Sequence, residues 1–280
     1  AGFPVVHVEA GLRSYQRSMP EEINRVLTDH ASTILFCPTI KAVQQLGKEG
    51  FQHVFQNGEI VQDGMLAKFK SLIVSVDKPL VINVGDIMYD CFRIMDKVTG
   101  NSDRLLSRLG VSSGQFALAT VHRAENTNDV ESLYEIMQGL NEICRTIPVC
   151  FPVHPRTRKT LVRQNWWPKF NSEKKIIFTE PLSYLDFINL EKHAKVIITD
   201  SGGIQKEAVF AGTPCITLRN NTEWPETVEN GWNQLVGTDA RAIVEAVLKL
   251  ESMPLPKPLF YGEGNTSQLI LDTLQSCLSS

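Results

Sequence analysis

From about residue 84, short runs that are apolar throughout alternate with amphipathic segments, and that alternation leaves few folds open. FALATV (116–121), PVCFPV (148–153), KIIFT (175–179), KVIIT (195–199) and PCITL (214–218) are too short for helices and lack the in–out alternation of a half-exposed strand. Strands apolar on both faces belong in a parallel sheet covered by helices on each side. The segments between them predict helices over about 129–145, 156–164, 184–193 and 239–250, and another that stops at Gly212-Thr213-Pro214, a Gly terminator with Pro beyond it. The fold class is α/β, with a doubly wound parallel sheet as its simplest form.

The first 83 residues carry the same pattern only in part. PVVHVE and TILFC read as strands, PEEINRVLTDHAS and IKAVQQLGKEG as helices, and residues 54–80 have no regular pattern. Two strands make a poor sheet. Together with an opening strand that has no lead-in, this predicts an N-terminal domain of which only the later part is present.

Composition narrows the function classes. A net charge of −3 over 280 residues provides no global field for nucleic acid, although a local site for a small anion fits. The six cysteines are scattered, without C-x-x-C or a His/Cys cluster at metal spacing, which predicts a reducing cytoplasm and no metal. No apolar run approaches the ~20 residues needed to span a bilayer, and no signal peptide is evident.

In an open parallel sheet, ligands bind outside the carboxyl ends of the strands. The segments directly after the strands are Glu9-Ala10-Gly11-Leu12-Arg13, His122-Arg123-Ala124-Glu125-Asn126, His154-Pro155-Arg156, Glu180-Pro181-Leu182-Ser183-Tyr184, Asp200-Ser201-Gly202-Gly203 and Arg219-Asn220-Asn221-Thr222-Glu223-Trp224. Six polar loops on strand ends make a candidate site.

An anion is easiest to place at Ser201, Gly202 and Gly203, where free N–H groups and the helix dipole meet a backbone that a ligand can approach closely. The bland alternative is a capped tight turn. Glu207, one helical turn on, suits two vicinal hydroxyls of a ribose, or is simply a solvated helix glutamate. Phosphate donors beside a ribose acceptor suggest a nucleotide. His122, followed by Arg123 and accompanied by Arg219, suits a departing phosphate, with His154 a weaker companion. His7 reads as a core residue, and the tryptophans as packing residues with Trp224 nearest the site. Glu9 and Glu21 suggest acid–base chemistry across a cleft. For Glu21 the alternative is an i,i+4 ion pair with Arg25.

HVEAGLRS, MPEEINR, VHRAEN, PVHPRTRK, EPLSYLDF, TDSGGIQKEA and TLRNNTEWPETVENG, in this order along nearly the whole chain, resemble the non-hydrolysing UDP-N-acetylglucosamine 2-epimerase family. The resemblance implies two Rossmann-like doubly wound domains of GT-B type. Residues 1–83 would be the later part of the first, residues 84–262 the UDP-binding second, and residues 263–280 a helix packing back on the first. The family's opening strand, basic loop and G-D-T motif have no counterpart ahead of Ala1. The resemblance assigns proton transfer to Glu9 and Glu21, the departing diphosphate to His122 and Arg219, phosphate contacts to Ser201, Gly202 and Gly203, and the ribose to Glu207. Phe187 and the Leu182 backbone would hold the uracil, and Arg25, Arg123 and His154 complete the substrate-binding set. It further implies a cytoplasmic homodimer serving cell-surface polysaccharide synthesis.

The C2 hydrogen of a UDP-sugar is not acidic. Transient oxidation would need a nicotinamide, but no G-x-G-x-x-G follows a strand, and no cofactor is expected. Eliminating UDP across C1–C2 to a 2-acetamidoglucal, then adding it back, needs carboxylates as acid and base and fixed donors for the diphosphate. The expected reaction is interconversion of UDP-GlcNAc and UDP-ManNAc. A UDP-diacetamido-uronic acid as substrate, a metal-independent GT-B glycosyltransferase, and a nucleotide-sugar binding module remain as alternatives.

Overall fold

The computed structural model describes residues 3–17, 19–62, 65, 68, 77–99, 102–171, 176–250 and 260–278. The chain divides into two compact units, Ala1–Arg93 with Pro258–Ser280, and Ile94–Lys257.

The first unit holds β1 (Val6–Val8), α1 (Pro20–Ala31), β2 (Ile34–Cys37), α2 (Ile40–Lys48), β3 (Leu80–Asn83) and the start of α3 (Ile87–Val98). Pro20 opens α1 with its φ already helical, and Glu21 and Glu22 follow where acids favour the dipole. Thr39 caps α2 by accepting from the Ala42 N–H at 3.3 Å. The sheet is parallel, in the order β1-β2-β3. β3 corrects the two-strand expectation: LVIN pairs with β2 from Ile34↔Leu80 to Cys37↔Asn83. Its apolar run follows directly on the irregular stretch and ends on the polar Asn83, so it does not stand out. Of residues 54–80, the 3-10 turn Phe55–Gly58 and the bridges Val54↔Val81 and Ile60↔Asn83 line the β3 edge, while 63–64, 66–67 and 69–76 lie outside the described residues.

His7, expected in the core, is half-buried and 2.6 Å from the fully buried carboxylate of Asp29. Asp29 also accepts from the Gly11 N–H (3.2 Å) and pairs with Arg13 (2.7 Å), whose guanidinium reaches Glu49 at 2.8 and 2.6 Å. One buried acid thus fastens the loop after β1 to α1.

The second unit continues with α4 (Ser102–Leu109), β4 (Ala117–Thr120), α5 (Ala124–Asn128), α6 (Val130–Ile143), β5 (Val149–Pro152), α7 (Pro155–Arg163) and α8 (Trp167–Asn171). After these come β6 (Ile176–Thr179), α9 (Tyr184–His193), β7 (Val196–Thr199), α10 (Gly202–Ala211), β8 (Cys215–Thr217), α11 (Pro225–Glu229), β9 (Asn233–Leu235) and α12 (Ala240–Lys249). All six strands run parallel in the order β6-β5-β4-β7-β8-β9. Alternate residues feed two cores. Ala117, Ala119, Phe151, Ile198 and Ile216 pack with Ile136, Leu140 and Ile243, while Leu118, Cys150, Ile197 and Cys215 pack with Leu106, Leu190 and Ala208. That double burial is why the interior strands β4, β5, β7 and β8 are apolar at nearly every position. Gly212, at φ 74°, ends α10 in the left-handed conformation that glycine adopts without strain.

The last helix, α13 (Thr266–Leu278), belongs to the first unit, where Leu269 and Ile270 join Ile34, Phe36, Leu80 and Ile82 in one core. The division between the units falls within α3 rather than at 83/84, because Asp90 of α3 holds the start of α13. Its buried carboxylate accepts from the Thr266 N–H (3.1 Å), the Ser267 N–H (2.7 Å) and the Ser267 hydroxyl (2.7 Å). Asp90→Ala is expected to destabilise the chain by about 1–3 kcal/mol, read as a lower urea midpoint for the first unit, with Asp90→Asn keeping part of the loss back.

Candidate functional site

The strand order fixes where the second unit can bind a ligand. The chain leaves β4 toward β5 and β6 on one side, then returns to β7, β8 and β9 on the other. The switch point lies between β4 and β7, and their carboxyl-end loops diverge there to leave a crevice. In register Thr120↔Thr199, with the two hydroxyls 2.7 Å apart, His122-Arg123 and Asp200-Ser201 emerge side by side.

Asp200 is fully buried and spans the crevice floor. Its carboxylate accepts from the backbone N–H of His122 (3.0 Å to each oxygen), the N–H of Arg123 (2.9 Å) and the Asn126 amide (3.1 Å). Asn126 also donates to the Leu218 carbonyl at 3.2 Å, adding the β8 end to the same network. Asp200 was not among the residues expected to act at the site. Its signal is an acid directly after an apolar strand, where a charge must be paired to be buried.

The His122 imidazole is partly exposed, its Nε2 3.9 Å from Asp200 and its ring 5.5 Å from that of His154. Burial pushes its pKa below the ordinary histidine value, and His154, Arg123 and Arg156 push the same way against Asp200. The ring is therefore neutral at neutral pH. His154 is exposed and uses Nδ1 to accept from the Arg156 N–H at 3.2 Å, which caps α7. Arg156 reaches the His122 carbonyl at 3.4 Å.

Ser201 occupies the N-cap position of α10, but its hydroxyl makes no capping bond. Gly202 is buried, and a Cβ there would lie 3.3 Å from Glu223 Oε2, 3.6 Å from Arg123 Nη2 and 3.7 Å from Trp224 Nε1. A Cβ on Gly203 would meet nothing within 4 Å, so the helix terminus is open there. Arg123 Nε and Trp224 Nε1 are buried without a hydrogen-bond partner. Buried donors left over in this way beside a helix N-terminus point to an anion.

Arg219 is placed differently from a free diphosphate clamp. It is buried, donating from Nη1 to Glu223 at 3.0 Å and from Nη2 to Glu223 (3.2 Å) and Asn221 (2.9 Å). Only its Nε lacks a partner. Trp224, expected as a packing residue, is buried with Lys206 Nζ 4.1 Å above its ring, yet it also presents its indole N–H toward Gly202.

Glu207 is not a solvated helix glutamate. It is 7% exposed, accepts from the Tyr184 hydroxyl at 2.8 Å, and is held above the usual carboxylate range by burial. Ser183 caps α9 through the Asp186 N–H at 3.2 Å, which sets Tyr184 at the start of that helix. Leu182 and Phe187 are half-buried against Leu190, Ile197 and Ala208.

In the first unit, Glu9 sits at φ 72°, a left-handed conformation that costs a non-glycine residue on the order of 1–2 kcal/mol. Two residues on, Gly11 at φ 81° passes so close to α2 that a Cβ would fall 2.5 Å from the Ala42 carbonyl oxygen. Glu22, not Glu21, is the buried acid in the first turn of α1, as Asp29 is near its end. Glu22 accepts from the Ser14 N–H (2.8 Å), the Ser14 hydroxyl (2.9 Å) and the Tyr15 N–H (2.9 Å). Glu21 is exposed, and the ion pair of Arg25 is with Glu22 at 3.9 Å, so no i,i+4 pair occupies Glu21. Among the described residues, no group of three or more His, Cys, Asp or Glu is placed to hold a metal ion.

Comparison with known proteins places this geometry. The profile of the family described as Epimerase_2, UDP-N-acetylglucosamine 2-epimerase, matches residues 1–275. A UDP-N-acetylglucosamine 2-epimerase homolog of Methanococcus maripaludis is 42% identical over 97% of this chain and 69% of its own length. A UDP-2,3-diacetamido-2,3-dideoxy-D-glucuronate 2-epimerase of Pseudomonas aeruginosa is 40% identical over 97% of this chain and 68% of its own. The crystal structure of Methanocaldococcus jannaschii UDP-GlcNAc 2-epimerase in complex with UDP-GlcNAc and UDP superposes with a TM-score of 0.80 at 38% identity, over 97% of this chain and 69% of that one. The chain thus spans about two thirds of the length of these relatives. With its motifs in order and its parallel sheets matching theirs, it belongs to the UDP-N-acetylglucosamine 2-epimerase family.

Proposed function

We propose that the second unit binds the UDP of a UDP-sugar at the β4–β7 switch point, and that the protein inverts C2 of that sugar by eliminating and re-adding UDP. The observation that carries this reading is the start of α10: an open helix terminus at Gly203, flanked by the unpartnered buried donors Arg123 Nε and Trp224 Nε1. The diphosphate would lie against Ser201, Gly202 and Gly203, with Arg123 and His122 as side-chain donors. Arg219, neutralised by Glu223, serves the site through its remaining Nε and by holding the loop after β8. Glu207 takes the ribose hydroxyls, and Leu182 and Phe187 the uracil.

In the forward direction a base removes the C2 proton as the C1–O bond to UDP breaks, leaving a 2-acetamidoglucal. Re-addition places a proton on the opposite face of C2 while UDP returns to C1. Glu9 and Glu21 are assigned these two proton transfers. The left-handed backbone of Glu9 and the exposure of Glu21 at the start of α1 support the assignment. A neutral His122 can donate its ring N–H to the diphosphate as negative charge builds there.

UDP-GlcNAc and UDP-ManNAc are the sugars of this reading. A UDP-diacetamido-uronic acid is the second reading, favoured by the 40% identity to the Pseudomonas enzyme. The six unpaired thiols, four of them buried, support a reducing compartment such as the cytoplasm.

Proton NMR of the full chain with UDP-GlcNAc in deuterated water is expected to show deuterium at C2 of both epimers. Product that keeps its C2 hydrogen rules elimination out, and formation of no second UDP-sugar at all points to a transferase or binding module. Glu21→Gln is expected to lower kcat by about 100- to 10,000-fold while UDP affinity stays unchanged, so an equal loss of UDP binding would return Glu21 to a structural role. Arg123→Ala is expected to weaken UDP binding about 10- to 100-fold in calorimetry, and an unchanged dissociation constant would remove it from the phosphate site.

A further inference from the structure

Glu191 of α9 is a carboxyl group that the reaction does not use and the packing does not explain. It is 0% exposed, and neither of its oxygens has a donor in reach. Its side chain instead faces that of Glu207 where α9 packs on α10, and two carboxyl groups so placed can hydrogen-bond only if one of them carries a proton. The two acids differ in what else surrounds them. Glu207 has the Tyr184 hydroxyl at 2.8 Å and the positive charge of Lys206 nearby, both of which favour its ionised form. Glu191 faces Glu207, and from β8 the Cys215 thiol, which burial pushes up to about 12 and so leaves uncharged. Two adjacent buried carboxylates cannot both ionise without large cost, and the one lacking donors and cations retains the proton.

We propose that Glu191 is a positioning residue of the nucleotide site: as a neutral acid it donates a hydrogen bond to Glu207 and fixes that carboxylate for the ribose. The inference rests on the assignment of the ribose to Glu207. A carboxylate offers about four lone-pair positions. Tyr184 and Glu191 take one each, and two remain for two vicinal hydroxyls, so the protein donors orient the group without exhausting it.

The proton has a thermodynamic consequence. Burial, and then the neighbouring Glu207, hold Glu191 well above the ordinary carboxylate range, so the folded chain keeps a proton that the unfolded chain releases. For a raised acid, the full contribution to stability is present below the unfolded value and declines as pH rises toward the folded one. The nucleotide site shares that dependence, because losing the proton turns the bond to Glu207 into a repulsion.

The test uses the full chain, with Glu191→Gln and Glu191→Leu as isosteric variants. Thermal melting without ligand and UDP calorimetry are run from pH 5.5 to 9, and wild type is compared with variant at each pH so that titration of UDP itself cancels. Glu191→Gln, whose amide donates at every pH, should melt higher than wild type above neutrality and bind UDP within about threefold at neutral pH. Its affinity advantage over wild type should grow as pH rises. Glu191→Leu, with no donor, should lose about tenfold in UDP affinity at neutral pH. A Gln variant that tracks wild type in both measurements overturns the shared proton, and a Leu variant that binds UDP as wild type does overturns the positioning role. Absence of UDP binding by wild type at every pH would instead overturn the nucleotide reading, and the melting curves would still decide the proton.

Discussion

The second unit is organised around one buried carboxylate. Asp200 directly follows β7 and is wholly buried, a placement that costs a carboxylate several kcal/mol unless donors surround it. The donors come from the neighbouring strand's loop: the N–H groups of His122 and Arg123 and the amide of Asn126. The two loops at the switch point are therefore locked to each other. The start of α10, the His122 ring and the Arg123 side chain acquire fixed positions from that bond set. Remove the charge and the crevice keeps its strands but loses the register of its rim.

The same balance of charges decides which groups remain for a ligand. Arg219 is held by Glu223 in a bidentate buried pair, and Lys206 lies over the Trp224 ring. Glu207 is tied to Tyr184. Each of these would be expensive left alone, and each is compensated inside the unit. Beside the α10 terminus, whose Ser201 side chain caps nothing, Arg123 Nε, Trp224 Nε1 and Arg219 Nε stay uncompensated. Around Gly202 the leftovers are donors, and such a site asks for an anion, whichever sugar is attached to it.

Much of this was legible in the residues, and the rest was hidden for identifiable reasons. Strands buried on both faces announce themselves by unbroken apolarity, so β4 to β8 could be read directly. β9 could not: Asn233-Gln234-Leu235 is an edge strand, and Asn233 is buried to bond Thr217 and Gln205 rather than to fill a core. β3 was missed because it follows directly on the irregular stretch before residue 80 and ends on the polar Asn83. At the site, position relative to a strand end was visible, and it was enough to single out His122 and the 201–203 turn. Partnering was not visible. No spacing rule says that Arg219 would be neutralised by the residue four positions on, that Ser201 would leave its helix uncapped, or that Glu191 would be wholly buried without a donor.

The two candidate machineries also differ in physical character. The nucleotide site is made of relaxed parts: a strand end, a helix terminus and side chains held by ordinary hydrogen bonds. The loop of Glu9 is made of strained ones, with Glu9 itself in the left-handed region and Gly11 pressed against the Ala42 carbonyl. Asp29, Arg13 and Glu49 hold that loop in place from below, and Glu22 ties the Ser14–Tyr15 backbone to α1. Strain survives only where the surroundings over-determine it. A binding site gains nothing from such an arrangement, since affinity is served by low-energy geometry. A proton-transfer group gains a great deal, because small displacements of a carboxylate change transfer rates steeply. On the proposed assignment of proton transfer to Glu9, the buried network of Asp29, Arg13 and Glu49 is the frame that holds its loop in an unfavourable conformation.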